Sequence, residues 1–144
     1  MNDKYNLERF RAKHEFFFET ALAEIKNEKK VNHWMWFIFP QLKFLGRSRT
    51  ALYYGIENTE EAKEFYNDPY LGSNLKEICK ALLECKTNSA LEVFGFIDEI
   101  KLCSCMTLFY IATGDEIFKK VLDKFYGGKE DTLTTDYLKN SKAN

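Results

Sequence analysis

Apolar residues recur at three- and four-residue steps along most of the chain, which is the spacing of one face of an α-helix. The first such stripe spans residues 7–28 and includes Phe10, Phe17 and Leu22, with His14 among its members. A lone histidine on an apolar stripe is more often a hydrogen-bonded core residue than a ligand-binding residue. Further helices are predicted over 48–56, 58–67, 69–86, 89–95, 117–126 and 132–138.

Residues that commonly cap helices lie at several of the predicted ends. Asn6 and Asn32 are predicted N-caps, Ser48 begins the helix after the loop at residue 46, and Thr132 begins the last helix. Gly114 fits the left-handed position that ends a helix. The chain is therefore predicted to be all-α, a single compact domain of about seven to nine short helices.

Residues 98–113 form the most apolar of the predicted helices, with hydrophobic side chains around most of its circumference. A helix of this kind is expected to be the buried centre of the domain. Lys101, Ser104 and Thr107 are spaced by three and form a polar stripe, which Asp98 extends by one turn. Because unpaired buried polar groups are costly, the stripe predicts a structural hydrogen-bond network, a solvent-facing edge or a pocket.

The segment HWMWFIFPQ, residues 33–41, carries five aromatic rings when its histidine is counted. A short helix is preferred to a strand because strict alternation is absent, and the proline is expected to end it. On that helix His33, Trp36, Phe37 and Gln41 would lie roughly on one side. The segment is expected to form either the wall of a binding site or a part of the core.

Length and composition agree with one soluble domain, residues 1–144, with an ordered core over about 5–138. The chain has 45% hydrophobic and 30% charged residues, so it is not of the disordered class. A net charge of −1 argues against a nucleic-acid partner bound through a broad basic surface. No apolar run is long enough to cross a membrane, and the first residues do not resemble a signal peptide. We therefore expect a cytoplasmic protein without a membrane partner.

Familiar catalytic and metal-binding motifs are absent from the sequence. There is no Gly-x-Ser-x-Gly elbow, no P-loop and no His-Glu-x-x-His zinc site. The spacing of the cysteines suits neither zinc nor a redox pair, which predicts buried reduced thiols, no bound metal and no cofactor. The cysteines are Cys79, Cys85, Cys103 and Cys105.

The loop Gly46-Arg47-Ser48-Arg49 places two guanidinium groups at a predicted helix start. Free N–H groups at a helix N-terminus and bidentate arginine contacts both favour phosphate. Arginine is also common at the start of a surface helix, so a solvated loop is the alternative. If the loop binds an anion, Trp34, Trp36 or Phe37 could stack on a ring of the same ligand, and Lys101 could add a second charge contact.

The segment 33–41 and several later motifs resemble those of the domain-of-unknown-function family numbered eighteen-ten. The matching motifs are Leu45-Gly46-Arg47-Ser48, Pro69-Tyr70-Leu71-Gly72, Asp98, Lys101, Ser104, Met106-Thr107-Leu108-Phe109, Asp123-Lys124-Phe125-Tyr126-Gly127-Gly128 and Asp131-Thr132. The resemblance covers roughly residues 5–138 and implies a compact, mainly helical domain. It implies no substrate, because the family has no settled activity.

A fainter likeness points to an N-glycosidic reaction. The helical layout and a Leu-Gly-Arg element are similar to those of the helical ADP-ribose glycosidases and riboflavin-pathway enzymes, which is an analogy of fold rather than of site. Such a reaction needs a carboxylate at the sugar carbon, for which Asp98, Asp123 and Asp131 are candidates.

Two hypotheses of function follow. The first is a binder, or a glycosidase-type hydrolase, of a small phosphorylated nucleotide-like ligand of the ADP-ribose type. The second is a non-enzymatic helical module that binds a protein partner through an aromatic groove. Whether the chain is an enzyme stays open, and no catalytic residue is assigned. The residues predicted to line one common cleft are His33, Trp36, Gln41, Arg47, Lys101 and Ser104.

Overall fold

The computed structural model describes residues 3–143, whose regular structure is helical apart from one isolated parallel bridge between Leu42 and Ile56. A short 3-10 turn covers Lys43–Leu45. The α-helices within the described residues are α1 (Glu8–Lys26), α2 (Met35–Ile38), α3 (Arg49–Tyr53), α4 (Thr59–Asn67), α5 (Pro69–Glu84), α6 (Ala90–Phe94), α7 (Phe96–Thr113), α8 (Glu116–Tyr126) and α9 (Thr132–Ala143). The predicted all-helical single domain is confirmed.

Helix α7, which contains the predicted central helix 98–113, packs against α4, α6, α8 and α9. Its C-terminal two-thirds is buried, and Leu102, Met106 and Phe109 have no solvent exposure. Its first turns differ from the expectation of an apolar helix buried all round, because Ile100 is 53% exposed and Ile97 is also exposed. The beginning of α7 therefore lies at the surface, where its apolar side chains border a cleft.

Aromatic side chains connect the helices around this centre. Phe10 of α1 meets Phe65 of α4 edge-on, with 5.0 Å between ring centroids. Phe65 in turn meets Phe109 of α7 at 5.5 Å, and Phe109 meets Phe118 of α8 at 5.7 Å. Such tilted and edge-on pairs are favourable beyond the area they bury. One continuous row of rings thus joins α1, α4, α7 and α8.

Two predicted helix ends have the expected geometry. The Ser48 hydroxyl accepts a hydrogen bond from the Ala51 N–H at the start of α3. Gly114 ends α7 in the left-handed conformation, at φ 74°, which glycine adopts without the steric cost of a Cβ atom. These ends were predictable because their signals are local to the chain.

Three predicted N-caps are wrong. Asn6 has a positive φ of 55° before α1, and the Asp3 carboxylate instead accepts hydrogen bonds from the Leu7 and Glu8 N–H groups. A carboxylate has two oxygens and can satisfy two adjacent N–H groups, which an amide oxygen does less well.

The same preference for a carboxylate holds at α9. Asp131 accepts the hydrogen bond from the Thr134 N–H in place of the predicted Thr132. The third incorrect cap, Asn32, donates its side-chain amide to Glu24 instead.

His14 is a hydrogen-bonded core residue, as its position on the apolar stripe favoured. Its Nε2 lies 2.8 Å from the carbonyl oxygen of Phe37 and its Nδ1 lies 3.0 Å from the amide nitrogen of Asn74. A carbonyl can only accept, so Nε2 donates and Nδ1 accepts, which is the pattern of the neutral ring. Burial lowers the pKa of His14 from 6.5 to about 4.

We predict that lowering the pH destabilises the protein because His14 is protonated on unfolding. This loss begins at a higher pH than the protonation of most carboxylates. Because the pKa is lower in the folded state, stability is fully present above pH 6.5 and falls until about pH 4, by about 3 kcal/mol. His14→Gln keeps one donor and one acceptor but cannot be protonated. Urea unfolding at pH 7 and pH 4.5 should therefore show a smaller loss for the variant. Equal losses in the two proteins would contradict this role of His14.

Candidate ligand-binding site

The Glu24 carboxylate near the end of α1 organises the turn that leads into the aromatic segment. It accepts hydrogen bonds from the Val31 N–H at 2.7 Å, from the Asn32 N–H at 3.0 Å and from the Asn32 side-chain amide at 2.6 Å. The indole N–H of Trp34 adds a fourth, at 2.8 Å. Burial by itself would raise the pKa of Glu24, but these hydrogen bonds to the charged form outweigh it and lower the pKa.

The aromatic segment divides between core and surface. Trp34, Phe37 and Phe39 are buried, and Trp34 meets Phe94 edge-on at 6.4 Å. Trp36 is only half-buried and His33 is exposed. The segment is therefore part of the core at Trp34, Phe37 and Phe39, whereas the side chains of Trp36 and His33 reach the surface.

A cleft of about 540 Å³ lies between the loop after the aromatic segment, the start of α7 and the start of α9. This volume is within the range usual for small-molecule sites. We call it the Arg47–Lys101 cleft. Its lining residues are Gln41, Phe44, Leu45, Gly46, Arg47, Ile97, Ile100, Lys101, Ser104, Asp131 and Leu133.

Backbone hydrogen bonds position one side of the Arg47–Lys101 cleft. The Ile56 N–H donates to the Gln41 carbonyl at 2.9 Å, and the Lys43 N–H donates to the Ile56 carbonyl at 2.8 Å. Phe44 stacks on Tyr137 of α9 with 4.4 Å between ring centroids. These contacts tie the loop that carries Arg47 to two separate parts of the fold.

Lys101 stands on the opposite side of the cleft, between a ring and a carboxylate. Its ammonium nitrogen lies 5.4 Å from the centroid of the Trp36 ring and 3.8 Å from Asp98 Oδ1. Asp98 makes its shorter ion pair with the buried Lys30, at 2.9 Å. The charge of Lys101 is therefore only partly compensated. Ser104 donates its hydroxyl to the Ile100 carbonyl within α7.

The three candidate carboxylates have different surroundings. Asp131 lines the cleft, and its Oδ2 accepts from the Thr134 N–H at 3.0 Å. Its own N–H donates to the Thr107 hydroxyl, so the polar stripe of α7 helps to position it. Asp98 is paired with lysines, and Asp123 is paired with Lys119 on an exposed helix face. Asp131 is thus the candidate that lines the same cleft as Arg47 and Lys101, whereas Asp98 contacts Lys101 without lining the cleft.

A second concave surface adjoins the first across Trp36. It measures about 480 Å³, and we call it the aromatic groove. Its lining residues are Lys13, Phe17, His33, Trp36, Phe37, Arg49, Thr50, Tyr53 and Tyr54.

The six residues predicted to share one cleft are divided between these two surfaces. Gln41, Arg47, Lys101 and Ser104 line the Arg47–Lys101 cleft, whereas His33 and Trp36 line the aromatic groove. The physical reason is that α2 ends at Ile38 and the backbone leaves the helical conformation at Phe39. Gln41 therefore does not continue the helix face that carries Trp36. The role of all six in binding stays a prediction.

Sequence reasoning missed several residues of both surfaces. Tyr53 and Tyr54 lie at the end of α3 and follow the arginine loop closely in sequence, so local spacing could have included them. Phe44 and Leu133 line the same cleft only because α9 packs against the loop through contacts such as Phe44 with Tyr137. No local sequence pattern predicts a contact between segments so far apart in the chain.

The described residues contain no group of three histidine, cysteine or acidic side chains arranged to hold a metal ion. Among the thiols, Cys103 is partly exposed, and burial raises its pKa to about 11. Cys79 and Cys105 are fully buried, which raises the pKa of each well above its ordinary value. These thiols are therefore protonated at neutral pH and poor nucleophiles. None of the helices within residues 3–143 has the length and apolarity needed to cross a membrane.

Comparison with known proteins agrees with the sequence resemblance. The family model described as "Protein of unknown function (DUF1810)" matches residues 4–138. The crystal structure of the conserved hypothetical protein Rv1873 from Mycobacterium tuberculosis is similar, with a TM-score of 0.93 and 39% sequence identity. That likeness covers 95% of this chain and 99% of the mycobacterial one. No curated protein gives a significant match.

We predict that Glu24→Gln destabilises the fold by about 3 kcal/mol, because a neutral amide replaces a buried anion that holds four donors. Because the pKa of Glu24 is lowered in the folded protein, the stability it supplies is present above pH 4.5 and is lost as the pH falls. Glu19→Gln, on an exposed position of the same helix, is the matched control and should change stability by less than about 0.5 kcal/mol. Chemical denaturation at pH 7 compares the two; similar stabilities would refute the organising role of Glu24.

Proposed function

This chain belongs to the DUF1810 family, a family of unknown function, and we propose that it binds a small phosphorylated, nucleotide-like ligand of the ADP-ribose type. The observation that carries this proposal is the convergence of Arg47 and Lys101 on one cleft. Two cations from distant parts of the chain line one cleft together with the polar side chains of Gln41 and Ser104, which is a surface suited to an anion.

The charge balance of the Arg47–Lys101 cleft, in which two cations face the single lining carboxylate Asp131, supports an anionic ligand. Arg47 is exposed and has no ion pair with any carboxylate of the described residues. Its planar guanidinium can therefore offer two N–H donors to one phosphate. Lys101 shares Asp98 with Lys30, so it also retains charge for a ligand. Apolar side chains such as Ile97 and Leu133 supply the less polar part of the lining.

We further propose hydrolysis of an N-glycosidic bond as the reaction that this cleft favours. Water would add across the bond, with its hydroxyl going to the anomeric carbon and its proton to the leaving nitrogen. Asp131 is the candidate to accept the proton from water and pass it to the leaving nitrogen, because it lies in the cleft. Both hydrogen bonds from Thr134 go to its Oδ2 atom rather than to Oδ1. The neighbouring cations would hold the phosphates while this bond breaks.

The alternative function is a non-enzymatic module that binds a protein partner through the aromatic groove. The observation in its favour is the exposure of aromatic side chains there, such as Tyr53, which is 56% exposed. Large exposed apolar patches commonly mark interaction surfaces. The cations of the neighbouring cleft have no role in this alternative, so substitution of Arg47 separates the two functions.

We predict that Arg47→Ala and Lys101→Ala each weaken the binding of ADP-ribose about ten- to a hundredfold, because each removes one charge-assisted contact. Arg47→Lys should also weaken binding, since a point charge does not replace a bidentate fork. Lys101→Ala should leave the fold intact, because Lys30 still neutralises Asp98. Isothermal titration calorimetry measures the affinities, and circular dichroism checks the fold.

The control for this prediction is Lys119→Ala, which removes an exposed lysine paired with Asp123 away from both concave surfaces. Its affinity for ADP-ribose should equal that of the unchanged protein. The proposal fails if the unchanged protein does not bind ADP-ribose, or if Arg47→Ala binds it as tightly as Lys119→Ala does.

A further inference from the structure

The two concave surfaces are neighbours, because lining residues of one lie close to lining residues of the other. Trp36 lines the aromatic groove, and the ammonium nitrogen of Lys101, which lines the cleft, lies 5.4 Å from its ring centroid. The arginine loop contributes to both surfaces, because Arg47 lines the cleft and Arg49 lines the groove. A ligand that reaches over Trp36 would therefore contact both surfaces at once.

The aromatic groove has the chemistry of a site for a flat ring. Phe37 at its base is already packed, with Phe17 and Tyr54 each 5.4 Å away between ring centroids. Tyr53 is the most exposed of the phenyl, phenol and indole rings that line the groove, and Trp36, Phe17 and Tyr54 are half-buried. Stacking on such side chains stabilises nucleobases of any kind, because every base has a π-face.

The charges around the groove select the kind of ring. Lys13, Arg49 and His33 lie along it, and none of the described residues that line it is a carboxylate. A cationic ring would be repelled by this surface, whereas a neutral ring attached to an anion suits it. The nearest place for that anion is the Arg47–Lys101 cleft on the other side of Trp36.

We propose that the aromatic groove is the base-binding subsite of a nucleoside phosphate whose phosphate occupies the Arg47–Lys101 cleft. Base and phosphate in such a ligand are separated by one sugar, and Lys101 of the cleft lies 5.4 Å from the ring centroid of Trp36 in the groove. This inference rests on the proposed function, because it takes the cleft to be the phosphate site. It adds that the base of that ligand lies in the aromatic groove and that Tyr53 and Trp36 hold it there.

The test compares adenosine 5′-monophosphate with ribose 5-phosphate, which has the same phosphate and sugar but no base. The nucleotide should bind the unchanged protein about ten- to a hundredfold more tightly in titration calorimetry, which is the usual effect of one stacked base. Tyr53→Ala should reduce that advantage at least threefold. Phe16→Ala, which removes an 80% exposed ring outside the groove, should leave it unchanged.

A second measurement uses the two tryptophans of the chain and needs no variant. Trp34 is fully buried, so acrylamide can quench only Trp36 efficiently. Adenosine 5′-monophosphate should protect Trp36 from acrylamide, whereas ribose 5-phosphate at the same occupancy should protect it much less. Equal protection by both compounds would overturn the assignment of the groove.

The outcomes separate this inference from the proposed function. If ribose 5-phosphate and the nucleotide bind with equal affinity, the phosphate site stands and the base subsite is refuted. If neither compound binds, the proposed function and this inference both fail. If the nucleotide binds more tightly and Tyr53→Ala reduces the difference while Phe16→Ala does not, the base subsite is supported.

Discussion

The buried carboxylate of Glu24 is the contact on which the arrangement of the site depends. Four donors from residues 31–34 converge on its two oxygens, so the chain turns sharply after α1 and enters the aromatic segment in one orientation. Since a buried anion is costly without such partners, the turn and the carboxylate stabilise each other. That orientation puts Trp34 into the core and leaves Trp36 at the surface, where it separates the cleft from the groove.

A second electrostatic arrangement connects this turn to α7. Lys30, just before the residues that bind Glu24, pairs with Asp98 at 2.9 Å, and its ammonium lies 5.1 Å from the Trp34 ring centroid. Asp98 is thereby neutralised mainly by a buried lysine, and Lys101 is left at the edge of the cleft. Asp98 of the polar stripe of α7 serves a structural network, while Lys101 and Ser104 line a concave surface, whose role in binding stays a prediction.

The helices could be predicted well from local sequence patterns, whereas the tertiary packing between them could not. Helices and ends such as Ser48 and Gly114 were predictable because periodicity and capping act within a few residues. The exposed Ile100 was not predictable, because only packing decides which part of an apolar helix is covered. The separation of Trp36 from Gln41 follows from the end of α2 at Ile38, which Pro40 signals in the sequence, so the expected common face for these two residues was wrong for a local reason.

A crystal of the protein soaked with ADP-ribose tests most directly whether the Arg47–Lys101 cleft is a phosphate site. The account predicts phosphate oxygens about 3 Å from both the Arg47 guanidinium and the Lys101 ammonium, the distance of a charge-assisted hydrogen bond. It also predicts that Trp34 and the Glu24 turn keep their positions. Ligand density elsewhere on the protein, or an empty cleft at a saturating ligand concentration, would contradict the account.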